Sequence, residues 1–298
     1  MPRTASVRVP ASSANLGPGF DVLALALDLH LEVEARESAK TSITWDGEGA
    51  DEVPLTRKNL LVRSTQEPFA GWTRPLEGIE LRVRNHIPIG RGLGSSAAAI
   101  VAGITLGAKL RSHRISPQRI LELAFPLEGH GDNLAAALYG GFCIAVTENG
   151  GVRVHRLDWP PRWRAVLFVP NEVSPTQEAR RLVPRRPARE DAVFNLGRVA
   201  EWVLACSRRD RSLVRSAMDD RLHQPGRVRA YPYLDDAIAA AEQAGALGAA
   251  LSGAGGSVIA LADRNHDPVA RAMSKAARAH GINGRVIRVA AAAAGAVG

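Results

Sequence analysis

Apolar positions in this chain repeat with two periods, and the switches between them divide it into strands and helices. Val7–Pro10 and Val22–Ala35 read as strands around a Ser-Ala-Asn-Leu-Gly-Pro-Gly loop, and Ile79–Val83 alternates as a further strand. Ser96–Lys109 carries Ala, Ile, Val and Leu on most faces, which predicts a helix buried on nearly all sides. Pro117–Leu127 reads as a second helix, with Ser116 as N-cap and Pro117 at its first position. Asp132–Tyr139 reads as a third, stopped by Gly140-Gly141. Phe142–Val146 and Val152–Leu157 then form a strand pair, and the Asp158-Trp-Pro-Pro-Arg162 turn leads into a strand at Ala165–Val169 that opens a second domain. Helices near Phe194–Ser207 and Tyr233–Ala244 follow, then strands at Gly248–Ser252 and Ser257–Ala262, a helix at Pro268–His280 and a strand at Gly284–Val289. Val183–Glu190 reads as a mobile loop and Ala290–Gly298 as a low-complexity, frayed tail. Interleaved helices and partly antiparallel strands predict an α+β architecture, with domains at residues 1–160 and 161–298.

Composition narrows the possible partners. The 298 residues, 46% of them hydrophobic, supply core for two domains. A net charge of +8 suits nucleic acid, a membrane surface or an anionic small substrate. The basic residues are scattered, however, clustering only at Arg180-Arg181 and Arg185-Arg186, and no zinc-finger, RNP or basic-helix pattern accompanies them. The expectation is a solvated surface that binds neither nucleic acid nor membrane. Cys143 and Cys206 sit in apolar surroundings without metal-ligand or redox spacing, as buried thiols of a reducing compartment do. The amino terminus lacks an apolar signal region, and no run of about 18 apolar residues occurs, so the expected location is cytoplasmic.

The stretch from Ile87 to Ala99 carries the most chemistry: a glycine-rich turn that opens directly into an Ala-rich helix. Gly90, Gly92 and Gly94 let the backbone approach a ligand, and the first N–H groups of the helix point at it with the positive end of the helix dipole. Ser95 and Ser96 can cap that helix or offer a hydroxyl to a metal on the phosphates. The run lacks the Gly-Lys-Ser/Thr of a Walker A loop and the strand-linked Gly-x-Gly-x-x-Gly of a dinucleotide fold.

Pro88–Ala97, with Arg91 and Leu93 at variable and fixed positions, resembles without a gap the GHMP small-molecule kinase signature Pro-x-x-x-Gly-Leu-Gly-Ser-Ser-Ala. The segment from Val9 to Asp21 resembles the first motif of the family's homoserine-phosphorylating branch, and Leu251–Ala260 its third, glycine-rich motif. The three occur in the family's order and span most of the chain. The resemblance implies an amino-terminal domain like domain 2 of ribosomal protein S5, a ferredoxin-like carboxyl-terminal domain, and an active site between them. It implies ATP-dependent phosphorylation of the side-chain hydroxyl of L-homoserine, in threonine biosynthesis, with Mg²⁺ and a homodimeric assembly. The alternatives are another kinase of the family, acting on an isoprenoid precursor or a sugar, and a non-catalytic regulator that binds a ligand or nucleic acid.

Residue roles follow from the same resemblance. It gives Ser96 and Glu122 as metal ligands, with Glu128 a rival for the carboxylate, and Asn59 beside the nucleotide base. The block from Glu128 to Gly141 resembles His-x-Asp-Asn-x-Ala-Pro-Ala-x-x-Gly-Gly, with Ala136 in place of the proline. Asn133 stands where other branches carry a catalytic aspartate, and an amide is no base at neutral pH, so catalysis rests on positioning and electrostatics unless Asp132 serves. Thr176…Arg180 and His223…Arg227 resemble two arginine motifs, the second with Gln and Gly as departures. Arg180 and Arg227 become candidates for the substrate carboxylate, because the planar guanidinium suits it. Asp21 is the candidate for the ammonium group. Asn15, His130 and Asn133 orient the hydroxyl end, with Thr176, Gly253 and Gly255 lining the pocket.

Overall fold

Two long strands form the backbone of the first layer. In the computed structural model, which describes residues 3–69, 76–148, 150–174 and 176–296 (the side chains of 69, 176 and 177 excepted), β1 (Thr4–Asn15) and β2 (Gly19–Ser38) pair antiparallel, with a register shift after Pro10. The shift lets one alternating strand serve two neighbours. Leu31–Ser38 of β2 pairs with β4 (Gly78–Asn85) and Leu23–Leu25 with β5 (Phe142–Glu148); β3 (Ser42–Gly47) and β6 (Gly151–Leu157) complete the sheet, whose path is β3-β4-β2-β5-β6 with β1 beside β2. Between these strands lie α1 (Leu60–Ser64), α2 (Ser95–Leu110), α3 (Pro117–Glu128) and α4 (Asp132–Tyr139), with α2 and α4 packed on β1 and β2. The apolar run of α2 is buried almost all round, as its composition predicts. β3 and α1 have no counterpart in the sequence reading: β3 is short and largely exposed, and α1 is a five-residue helix braced against α2.

The second layer is built from β7 (Arg164–Pro170), α5 (Thr176–Arg181), α6 (Arg189–Arg208), α7 (Val214–Ala217), α8 (Gln224–Arg227), α9 (Leu234–Gln243), β8 (Gly248–Leu251), β9 (Val258–Ala262), α10 (His266–Ala279) and β10 (Gly284–Val289). Its sheet runs β10-β7-β9-β8, all antiparallel, with α9 and α10 against it. That is the strand order of a ferredoxin-like fold. The predicted loop at 183–190 is shorter than expected, because α6 begins at Arg189.

Two features join the layers. Phe142, Trp159, Trp163 and Trp202 stack in a chain of ring contacts 5.6–6.1 Å apart, and the Trp202 indole donates to Leu16 O in the loop between β1 and β2. The tail contradicts its reading as frayed. After β10 it crosses back to the first sheet, where Asp28 N and Gly141 N donate to Ala290 O and Ala292 O, while Ala292 N and Ala296 N donate to Ala26 O and Ala137 O. Small side chains let this backbone seat closely, and Ala292 and Ala296 are buried. Low complexity here reflects tight packing.

Candidate active site

Asn85 ends β4 and turns the chain: its amide accepts from Ile87 N and donates to Ile87 O and Glu48 O. The glycine-rich loop follows, and Gly94 caps α2 at φ 70°, with no side chain on the cap. The first N–H groups of a buried 16-residue helix are thereby left for an anion. Ser95 and Ser96 are the first helical residues and do not cap it, while Leu93 and Ala97 are buried on the inner side. Pro88 is buried before the loop and does not line the cleft.

The loop is stitched to both other motifs. Ser12 N donates to Leu93 O, Ser252 Oγ donates to Gly92 O, and Ser13 Oγ lies 2.8 Å from Ser252 Oγ. Because Ser252 gives its proton to Gly92, Ser13 is the donor in that pair. Gly92, at φ 75°, lies so close that a β-carbon would come within 2.2 Å of Ser252 O and 2.6 Å of Gly255 O. Gly255 thus packs on the glycine-rich loop and Tyr231, outside the narrow cavity, whereas Gly253 lines it.

That cavity, about 70 Å³, is lined by the α2 N-terminus, Asn15, Asp21, Glu128, His130, Asp132, Asn133, Arg180, Arg227 and Gly253. A wider groove of about 1020 Å³ lies over the outer face of the first sheet. Its charges pair mutually, as Arg8 does with Asp28 and Glu32, which marks a solvated sheet face with no convergent chemistry.

Ser96 Oγ donates to Glu128 Oε2 at 2.7 Å. Glu128 closes α3 with its side chain buried; burial pushes its carboxyl up, against the pull of His130 and the Ser96 hydroxyl. Glu122 lies elsewhere: it pairs with Arg119 at 2.9 Å on the exposed face of α3, outside the cavity. The separation of six positions is under two helical turns, which carries Glu122 to a different face. The hard-oxygen pair that fits a divalent cation is therefore Ser96 with Glu128, since a buried carboxylate beside a hydroxyl at a helix N-terminus gains from a cation and phosphate together.

His130 Nδ1 lies 2.8 Å from Asp132 Oδ1, which also accepts from Asn133 N. Burial opposes a charge on His130, but Asp132 and then Glu128 outweigh it and the imidazole titrates higher than usual. Asp21, His130 and Asp132 approach closely enough to hold a metal ion. Asp21, however, is already engaged by both Arg180 Nη1 and Nη2, at 3.0 and 2.6 Å, a bidentate pair. Asn133 Oδ1 accepts from Ser12 Oγ at 2.8 Å, and the residue lines the cavity. Asn15 bridges two elements, its Nδ2 donating one proton to Gly253 O and its Oδ1 accepting from Asp21 N, with the second Nδ2 proton not used by these bonds.

Arg227 is 1% exposed and lines the cavity, its charge burial-strained so that its pKa falls to about 10. Two side chains expected near the nucleotide are bonded to protein backbone. The Arg91 guanidinium turns away to Ile89 O, Pro170 O and Asn171 O, with Glu52 at 3.6 Å, and pins the loop to β7. Asn59 caps α1, accepting from Leu61 N and donating to Pro54 O. Both side chains satisfy backbone that would otherwise be orphaned. Thr176 opens α5, and its side chain lies outside the described residues. The residues that sequence reasoning passed over are Ser12, Ser13 and Ser252, small hydroxyls whose only signal was their place inside two glycine-bearing motifs.

Comparison with known proteins places the chain in a family. The model of the GHMP kinases N terminal domain matches residues 59–141, and that of the GHMP kinases C terminal domain matches 203–282. The chain belongs to the GHMP kinase family. It is 39% identical over 276 residues to a homoserine kinase of Moorella thermoacetica, covering 93% of each chain. It is 43% identical over 271 residues to one from Thermus thermophilus, covering 89% of this chain and 90% of that one. Among solved structures it superposes on homoserine kinase from Cytophaga hutchinsonii with a TM-score of 0.87 and 32% identity, covering 98% and 96% of the two chains. A mevalonate kinase from L. major, at 16% identity and TM-score 0.73 with 97% and 96% of the two chains covered, shares the fold. No described helix of this GHMP kinase is long and apolar enough to cross a membrane.

Proposed function

We propose that the protein phosphorylates the side-chain hydroxyl of L-homoserine with MgATP, giving O-phospho-L-homoserine and ADP, a step of threonine biosynthesis in the cytoplasm. The observation that carries this is the charge layout of the cleft. An uncapped helix N-terminus suited to phosphate sits at one end, and Asp21, Arg180 and buried Arg227 at the other suit an ammonium and a carboxylate. Ser96 and Glu128 would hold Mg²⁺, which when bound neutralises charge developing on the transferred phosphoryl group.

In this reading the α2 N–H groups receive the phosphates, and the Asn133 amide and His130 orient the acceptor hydroxyl. The Asp132 carboxylate is occupied by His130 and Asn133 N, which leaves positioning and electrostatics as the catalytic terms and sends the hydroxyl proton to phosphate or water. ADP release with L-homoserine, L-serine, L-threonine, mevalonate and galactose tests the substrate. Turnover selective for homoserine is expected; selectivity for another alcohol overturns the pocket, and salt-sensitive nucleic-acid binding without turnover overturns the activity.

The same reading includes a homodimer, for which α6 offers the surface. Val193, Leu196 and Leu204 are 59%, 70% and 39% exposed along one helix face, with exposed Gly197 and Ala200 between them. Antiparallel packing about a two-fold axis brings the small residues together at the crossing and sets Glu190 of one copy near Arg208 of the other. Sedimentation should show a dimer that Leu196→Glu dissociates; a wild-type monomer, or a dimer indifferent to Leu196→Glu, would rule this face out.

A further inference from the structure

We propose that His223, fixed as a neutral hydrogen-bond relay between Arg227 and the loop carrying Gly17, is a positioning residue that aims one edge of the Arg227 guanidinium into the cleft and so sets selectivity for an α-carboxylate. The proposal rests on the reading of Arg227 as the carboxylate ligand.

The donors of Arg227 can be counted. Nη1 gives one proton to His223 Nδ1 at 2.9 Å and one to Gly253 O at 2.9 Å, and Nε donates to Ala179 O at 3.2 Å. Among the described residues, that leaves Nη2 as the part of the fork without a protein acceptor. A guanidinium only donates, so Nδ1 of His223 must be the unprotonated, accepting nitrogen. On the far side Nε2 lies 2.7 Å from Gly17 O, which only accepts, so Nε2 carries the hydrogen. Both contacts require the same neutral tautomer.

The charged groups facing the ring are Asp220, Arg227 and Asp21. Asp220 is spent on other donors: Leu222 N, His223 N, Gln224 N and Asn195 Nδ2 converge on its two oxygens, and its nearest oxygen is 3.6 Å from Nε2. Full burial pulls the imidazole down to about 4, with Asp220 opposing and Arg227 assisting. The ring therefore stays neutral throughout the working range and moves no proton.

The bonds close a circuit. Gly17 O accepts from His223, His223 accepts from Arg227, Arg227 and Asn15 share Gly253 O, and Asn15 Oδ1 holds Asp21 N two residues beyond the loop. Asp21 and Arg227, at the two charges of an amino acid, are thus spaced by one hydrogen-bonded ring.

Two amide substitutions separate the halves of the relay, because Asn presents an oxygen near the Nδ1 position and Gln a nitrogen near Nε2. His223→Gln keeps the bond to Gly17 and loses the acceptor for Arg227; His223→Asn does the reverse. We expect His223→Gln to raise KM for L-homoserine at least about tenfold, with KM for ATP and kcat within about twofold, and His223→Asn to raise it under about threefold. The homoserine KM of the wild type should show no break between about pH 5.5 and 8.5 from this ring. The control is L-homoserine carboxamide, which lacks the carboxylate charge. If the wild type does not prefer homoserine to the carboxamide, the carboxylate reading of Arg227 falls. If it does, and His223→Gln retains both that preference and the wild-type KM, the relay falls. Equal damage from Gln and Asn, on both substrates, assigns His223 to folding alone and also overturns it.

Discussion

At the end of the cleft proposed for phosphate the groups presented to a ligand are main-chain N–H donors at the start of α2, held by a loop whose carbonyls are bonded to Ser12, Ser252 and Arg91. At the end proposed for the amino acid they are side chains, Asp21, Arg180 and Arg227, drawn from three elements and held by one another and by stray carbonyls. The first end is local and its charge comes from peptide dipoles that cannot titrate. The second is assembled across about two hundred residues from formal charges that burial penalises. A backbone cradle tolerates little change in shape, and a side-chain pocket little change in charge.

The largest effect expected from that difference is at Gly92. An alanine there combines a left-handed backbone with a β-carbon 2.2 Å from a fixed carbonyl, so the loop must move off motif three. Gly92→Ala should lower kcat/KM for ATP by about a thousandfold, comparable with removing aligned donors from a transition state; a near-normal ATP response would show that the loop is not the cradle. Next comes Glu128. Glu128→Gln should cost about a hundredfold in kcat at fixed Mg²⁺, and Glu122→Gln less than about twofold. The carboxyl of Glu128 is raised from its usual range, so at low pH it is protonated and offers a cation little. The Mg²⁺ concentration for half-maximal rate should therefore fall as pH rises from about 5 to 7, and Glu128→Gln should flatten that slope. The reverse ranking of the two glutamates would restore the assignment on α3's outer face.

At the amino-acid end the response should be confined to one substrate. Arg227→Ala should weaken homoserine binding by at least about tenfold while leaving nucleotide affinity within about twofold, as expected where a buried charged donor is lost. Equal loss of both would merge the two ends into one site and undo the comparison.

Legibility in the sequence followed the same division. The α2 cradle could be read because its ligand groups are set by glycine spacing and a helix start, both local. The ferredoxin-like strand order was accessible only through resemblance, since pairing of β7 with β9 and β10 is long-range. The polar end was readable as a set of residues and not as a geometry. Spacing along the chain did not reveal that Arg180 engages Asp21 159 positions away, or that Ser96 selects Glu128 over Glu122, which shares its helix. Arg91 and Asn59 show a related limit: a polar side chain beside a motif also has nearby backbone to satisfy, and both are bonded to it.

The smallest effect separates both ends from their common support. The tail between Ala290 and Ala296 holds β2, the start of β5 and the far end of α4, whose first turn carries Asp132 and Asn133. Removing residues 290–298 deletes four backbone hydrogen bonds, about 2–6 kcal/mol at roughly 0.5–1.5 kcal/mol per bond, and the burial of Ala292 and Ala296 besides. The helix would remain on the sheet, since Leu134 and Leu138 are fully buried, so its N-terminal residues shift little. The truncated protein should melt lower, lose amide-exchange protection at Ala137–Gly141, and keep both KM values within about twofold while kcat falls about threefold. Because Asn133 touches Ser12 beside the glycine-rich loop and also lines the cavity, loosening α4 should slow transfer without favouring either substrate. A rise in one KM alone would show that the tail braces a single end.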